Sequence, residues 1–129
     1  NENFEIIKNL RTESQGDKVY DDETIDLDSF HLTIYLNGEL VAYSRLYPNS
    51  NNNVSLQRFS VSRKHRNRGV SKILMEFIFQ IFCEKFNNAS LILTSRINTK
   101  VFYQKYGFIV YKTLIEQEKE RFYMKKKIK

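Results

Sequence analysis

The sequence predicts an α/β (α+β) fold: a mixed, mainly antiparallel sheet with helices on its faces and one parallel strand pair. Three observations carry this. Asn37-Gly38 lies between two apolar-patterned runs, a strong short-range hairpin signal. The alternating run Val54 to Ser62 passes through a basic turn into an apolar-faced helix and then a second strand. Such a strand–helix–strand unit crosses over right-handed and sets its two strands parallel. Two last strand patterns flank a short charged connection, as antiparallel partners do.

Element by element, Phe4 to Leu10 fits a short strand or a helical turn equally, and Thr12 to Ser29 reads as polar, acidic loop with room for one helical turn. His31 to Leu36 and Glu39 to Tyr47 are the hairpin strands, and Pro48 to Asn53 is a turn-rich loop. Val54 to Ser62 is the third strand. Ser71 to Phe86 is an amphipathic helix whose apolar face runs through Ile73, Leu74, Phe77, Ile78, Ile81 and Phe82. Leu91 to Thr94 is short and continuously apolar, the pattern of a strand buried on both faces. Thr99 to Tyr106 is a short helix stopped by Gly107, a C-cap residue. Phe108 to Ile115 and Arg121 to Lys127 are the last strands, joined by Glu116 to Glu120.

The 129 residues suit one domain with a modest core, and no repeat or interdomain linker interrupts them. Hydrophobic residues at 41% and charged residues at 28% fit a packed, water-exposed globule. No segment approaches the roughly 20 apolar residues of a membrane helix. Asn1 to Phe4 lacks a signal peptide's pattern, and a cytoplasmic address is the default expectation. Cys83 is the single cysteine, so no internal disulfide is possible; its place on the long helix predicts a core position. No His/Cys/Asp group has metal-ligand spacing, and no Ser/His/Asp order stands out. The net charge of +6 favours anionic partners, but it is unevenly spread. Asp17 to Asp28 is acidic, whereas Arg63 to Lys72 and Lys125 to Lys127 are basic.

The basic turn is the most informative segment. A strand leading through Arg66-Asn67-Arg68-Gly69 into a helix N-terminus is a physical recipe for holding phosphate. The first amides of a helix lack partners and the helix dipole adds positive charge there. Gly69 permits close approach to the backbone, and Arg66 and Arg68 can pair with phosphate oxygens.

Arg66-Asn67-Arg68-Gly69-Val70-Ser71 resembles the pyrophosphate loop of the GNAT superfamily of acyl-CoA N-acyltransferases, Q/R-x-x-G-x-G/A, with Ser71 as the last small residue. Phe102-Tyr103-Gln104-Lys105-Tyr106-Gly107-Phe108 resembles the family's F-Y-x-K-x-G-F segment. The family often carries an Asn six residues before that Phe; this chain has Arg96 there and Asn98 nearby in another register. Asp26 to His31, Asn37 to Leu46, Arg58-Phe59-Ser60-Val61 and Tyr123 to Lys126 resemble the small ElaA-like branch. The likeness runs from about Asp22 to the C-terminus, and it implies that the branch's long N-terminal helices are shortened or absent here.

The resemblance implies a sheet whose strands Val54 to Ser62 and Leu91 to Thr94 splay apart, with the pantetheine arm of acetyl-CoA, the acyl donor, in the gap. Backbone groups around Phe59, Ser60 and Val61 would pair with that arm, and the amides of Arg68, Gly69, Val70 and Ser71 would take the pyrophosphate, with Arg66 and Asn67 beside it and Asn98 as a further contact. Tyr103 is the implied catalytic residue, giving a proton or hydrogen bond to the departing thiolate. The central strand offers Ser55 and Gln57 where many relatives place a Glu base. His31 is a substitute base by chemistry, but its place at a strand start favours a structural hydrogen bond. His65 is expected at the surface or near phosphate. Arg45 and Arg58 either pair with the acidic segment or meet a substrate carboxylate.

The implied activity is acetyl transfer from acetyl-CoA to a small-molecule or peptide amine. Alternatives are a longer acyl donor, carried by CoA or acyl carrier protein, and a GNAT fold that binds CoA without turnover. A nucleic-acid-binding module would fit the basic, aromatic composition, but the aromatics sit at core spacings. Edge strands near the C-terminus leave room for a homodimer.

Overall fold

The computed structural model describes residues 6, 7, 9–11, 27–49, 52–86 and 88–127. Residues 6, 7 and 9–11 are helical, which decides between the two readings of the opening segment. Expectations for the acidic loop and for most of the N-terminal helical part lie outside the described residues. The strands are β1 (Phe30–Leu36), β2 (Glu39–Pro48), β3 (Asn53–Val61), β4 (Ser90–Ser95), β5 (Ile109–Glu116) and β6 (Lys119–Lys126). Helix α1 (Val70–Lys85) connects β3 to β4, and α2 (Ile97–Lys105) connects β4 to β5. The sheet order is β1-β2-β3-β4-β6-β5, parallel only between β3 and β4.

The β1–β2 hairpin turns on Asn37 (φ 52°) and Gly38 (φ 81°), both left-handed, as a two-residue hairpin that matches strand twist requires. The β5–β6 connection is tighter than the sequence suggests. Gln117 (φ 51°) and Glu118 (φ 65°) alone make the turn, and the strands extend to Glu116 and from Lys119. A left-handed non-glycine residue costs roughly 1–2 kcal/mol. The ladder running from Ile109↔Lys125 to Glu116↔Lys119 offsets that cost.

The core lies between α1 and one face of the sheet. Leu74, Met75, Ile78 and Phe82 meet Val54, Leu56, Leu91, Leu93, Phe122 and Met124. Ile73, expected on the apolar face of α1, is exposed, and Val70 and Met75 take up that face instead. Cys83 is also exposed, not in the core: it follows Phe82 by one position and the helix turns it outward. A second cluster of Ile7, Leu10, Leu40 and Tyr43 seats the N-terminal helical segment. Strand β4 is not buried on both faces. Leu91, Leu93 and Ser95 are buried, Ile92 is half-buried and Thr94 is exposed. The cause is its loss of β3 as a neighbour: the two pair only over Asn53↔Ser90, Val54↔Leu91 and Ser55↔Ile92.

A β-bulge accompanies that divergence. Tyr43 faces Ser60 and Arg45 faces Gln57, so Arg58 and Phe59 together stand opposite Ser44. Arg58 takes a left-handed conformation, φ 56°. Bulges bend and twist their strand, and this one lies just past the residues where β3 leaves β4.

Candidate active site

Where β3 and β4 part, a cleft of about 550 Å³ opens, walled by β2, β3, β4 and α2. The splay read from the resemblance is therefore present. Arg45, Arg58, Phe59, Asn98 and Tyr103 all line this cleft.

The β3 wall is ordered by side chains. Arg45, only 2% exposed, donates from Nε to Gln57 Oε1 at 2.8 Å, and Gln57 Nε2 donates to Ser55 Oγ at 3.1 Å. The polar positions of the central strand thus form a hydrogen-bonded chain, and neither Ser55 nor Gln57 is a base at neutral pH. Ser44 Oγ donates to the Gln57 carbonyl at 2.9 Å, and Ser60 Oγ to the Arg58 carbonyl at 3.0 Å, which pins the bulge from both strands. Phe59 is half-buried, its ring 5.5 Å from that of Phe102 and 6.2 Å from that of Tyr103.

The facing wall comes from α2. The helix begins at Ile97, two residues before the predicted Thr99, because the Arg96 carbonyl already accepts from the amides of Thr99 (3.2 Å) and Lys100 (3.0 Å). This brings Asn98 into the first turn, on the cleft. Tyr103 sits one turn further on, against Phe59, Phe102 and Phe108. Burial pushes its phenol up to about 12, because the phenolate would lose hydration that the packing does not replace. Among the described residues, none hydrogen-bonds its hydroxyl.

The basic turn follows the C-terminal end of β3, just past the cleft. After the short 3₁₀ turn Arg63–His65, Asn67 (φ 63°) and Gly69 (φ 79°) are left-handed, and Gly69 caps α1. The Gly69 carbonyl accepts from the Ile73 amide at 3.1 Å. The amides of Val70, Ser71 and Lys72 precede that first helical bond and have no intrahelical partner. A Cβ built on Gly69 would meet nothing within 4 Å, so the space over the turn is open. Open space, partnerless amides and exposed Arg66, Asn67 and Arg68 fit a phosphate group. Arg66 Nε also reaches the Val61 carbonyl at 3.4 Å, tying the turn to the end of β3. Val61 is buried and pairs with Ala42 of β2.

The histidines stand apart from the cleft lining. His31 Nδ1 and the buried Tyr43 hydroxyl share a 2.5 Å hydrogen bond, the structural role its strand-start position favoured. His65 is buried, not at the surface: the 3₁₀ turn folds it inward, with Nε2 3.9 Å from Glu39 Oε2. Among the described residues lining the cleft there is no Asp, Glu or His. The cleft also contains Arg96, which stands where the family often carries an Asn, and Thr94, Ser95 and Thr99, which sequence reasoning did not single out. A polar end on an otherwise apolar strand, Thr94-Ser95, was the available signal.

Comparison with known proteins agrees with this geometry. Residues 28–110 match the acetyltransferase (GNAT) domain. The fold is similar to that of an acyl-CoA N-acyltransferase from Pseudomonas aeruginosa, at 24% identity and TM-score 0.82 over 96% of this chain and 90% of that one. It is similar to Escherichia coli ElaA, at 24% identity and TM-score 0.83 over 98% of this chain and 90% of that one. A GNAT family acetyltransferase from Elizabethkingia anophelis, with acetyl-CoA bound, shares 18% identity and TM-score 0.75 over 94% of this chain and 90% of that one. With its parallel β3–β4 pair splayed at a bulge and that domain spanning most of its length, this chain belongs to the GNAT acetyltransferase family.

Proposed function

We propose that this chain is an N-acetyltransferase that uses acetyl-CoA as donor and a small-molecule or peptide amine as acceptor, by direct transfer. The observation that carries the reading is that a splayed, bulged cleft along β3 runs directly on into a phosphate-ready turn after the strand's C-terminal end, with Tyr103 on the opposite wall. Acetyl-CoA supplies an activated acetyl carbon and a thiolate leaving group.

The chain's own residues bind, orient and protonate. The amides at Gly69, Val70 and Ser71 hold the pyrophosphate, and Arg66, Asn67 and Arg68 border it. The backbone of Phe59, Ser60 and Val61 beside the bulge receives the pantetheine arm as an added strand edge, with Asn98 across from it. Tyr103 Oη keeps its proton throughout the neutral range, because burial raises its pKa to about 12, and so holds a proton available to a departing sulfur. The acceptor amine loses its proton to water in the cleft, since among the described residues the lining offers Arg45, Gln57 and Ser55 and no carboxylate.

The test is release of free CoA thiol from acetyl-CoA across a panel of primary amines. Amine-dependent release, lost in Tyr103→Phe while acetyl-CoA still binds, is the expected result. Binding of acetyl-CoA with no release for any amine would leave a CoA-binding fold without turnover.

A further inference from the structure

The half of the sheet made by β4, β6 and β5 has one face that no described helix covers. Leu91, Leu93, Phe122 and Met124 lie on the core side beneath α1, and Lys100 of α2 sits over the Phe122 ring on that same side. The alternate residues therefore form the opposite face. The register sets Thr94, Tyr123 and Lys112 in one row across it, and Ile92, Lys125 and Ile109 in the next. This face begins at the cleft: Thr94 lines the cleft and is exposed. At about 4.8 Å per strand, Lys112 stands about 10 Å beyond it.

The face is cationic and aromatic. Lys112, Lys119, Arg121 and Lys125 share it with one carboxylate, Glu116, and among the described residues none of the four cations has an ion pair. Lys112 Nζ lies 5.5 Å over the Tyr123 ring, and Lys125 Nζ 5.1 Å over that of Tyr111. These contacts hold the ammonium groups close to the sheet and leave their N–H donors for a partner. The Tyr123 hydroxyl donates to Glu116 Oε1 at 2.7 Å, so the carboxylate is held as well.

Resting on the acetyl-transfer reading above, we propose that the acceptor amine belongs to an acidic polypeptide segment, which extends from the cleft over this face with its carboxylates on Lys112, Arg121 and Lys125. Opposite charge on the two surfaces steers the partner and fixes its register. An extended peptide covers the distance of about 10 Å in about three residues. A small amine would fill the cleft without reaching these cations. A nucleic acid would meet the Glu116 carboxylate among them and would bring only weakly nucleophilic base amines to the cleft.

The test uses the purified protein with acetyl-CoA and short peptides beginning with Ala, Gly, Ser or Met. Each is made in an acidic version rich in Asp and Glu and in an uncharged version with Asn and Gln in their place. The carboxamide of each first residue and a single-stranded oligonucleotide complete the set. At low salt the best acidic peptide binds, by fluorescence anisotropy, about fivefold or more tighter than its uncharged version, and its KM is lower by a similar factor, as two or three exposed charge pairs give. Raising salt to about 0.5 M narrows the gap. Lys112→Gln combined with Lys125→Gln raises the Kd and KM of the acidic peptide, and leaves its kcat, the KM of the one-residue carboxamide and the Kd of acetyl-CoA unchanged. Equal binding of acidic and uncharged peptides, or acidic-peptide binding that the double variant does not weaken, overturns this inference; with acetyl-CoA binding intact, acetyl transfer still stands. An oligonucleotide that binds more tightly than the acidic peptide, and loses affinity in the double variant, assigns the face to nucleic acid and also overturns it. Absence of acetyl-CoA binding removes the underlying reading as well.

Discussion

On the proposed reading, the turn from Arg66 to Ser71 and the cleft between β3 and β4 would recognise their ligands by different means. The turn would work through its backbone: a left-handed glycine, an open space above it and helix amides without intrahelical partners. The cleft would work largely through side chains gathered from β2, β3, β4 and α2, of which Arg45, Gln57 and Tyr103 lie in three separate elements. A backbone site tolerates most side-chain changes but not a change of conformation. A side-chain site should behave in the opposite way.

The sharpest way to break that contrast is Gly69→Val. A β-branched residue at φ 79° is strained even though its Cβ would meet open space. Calorimetry should show CoA affinity falling by about a hundredfold or more, with circular dichroism showing the fold retained. Asn67→Gly keeps the left-handed backbone and should bind within about twofold of wild type.

Next in size is Tyr103→Phe, which should lower kcat by about a hundredfold and leave the Kd of CoA unchanged. The same residue gives a pH test. Its phenol ionises near 10 when unfolded and at about 12 when folded, so the unfolded chain releases that proton first. This contribution to stability is intact below pH 10 and falls as pH rises from 10 to about 12. Urea melts of Tyr103→Phe should lack that component.

Gln57→Leu removes the acceptor of the buried Arg45 Nε and should destabilise the fold by about 2 kcal/mol in urea unfolding. CoA affinity should stay unchanged, because the turn does not depend on this chain of bonds. The smallest effect belongs to Lys64→Ala. Its 2.7 Å pair with Glu39 is solvent-exposed, so the melting midpoint should stay within measurement scatter. The Glu39 carboxyl, held below its usual range chiefly by the Lys64 hydrogen bond, should rise towards the ordinary value when followed by NMR titration.

The same contrast explains what the sequence could disclose. Backbone recognition leaves a local signature, and Gly69 before an apolar helix was readable within six residues. Asn37-Gly38 was readable for the same reason. Gln117-Glu118 was not, since neither residue prefers the left-handed conformation that the ladder imposes. The bulge at Arg58-Phe59 depends on register against β2, a property of two strands rather than one. His65 and Cys83 were misplaced because one residue of helical rotation decides their burial, and periodicity does not fix that at a helix edge. Arg96 joins the cleft as the residue that carries β4 into α2, a position that strand and helix patterns do not resolve.

Calorimetric titration of acetyl-CoA into wild type and Gly69→Val, at low and moderate salt, tests the central claim most directly. The expected result is saturable, one-to-one binding to wild type that persists at the higher salt and is lost in Gly69→Val. Equal affinity in the two proteins, or binding to wild type that vanishes with salt, would contradict a backbone-built phosphate site at the start of α1.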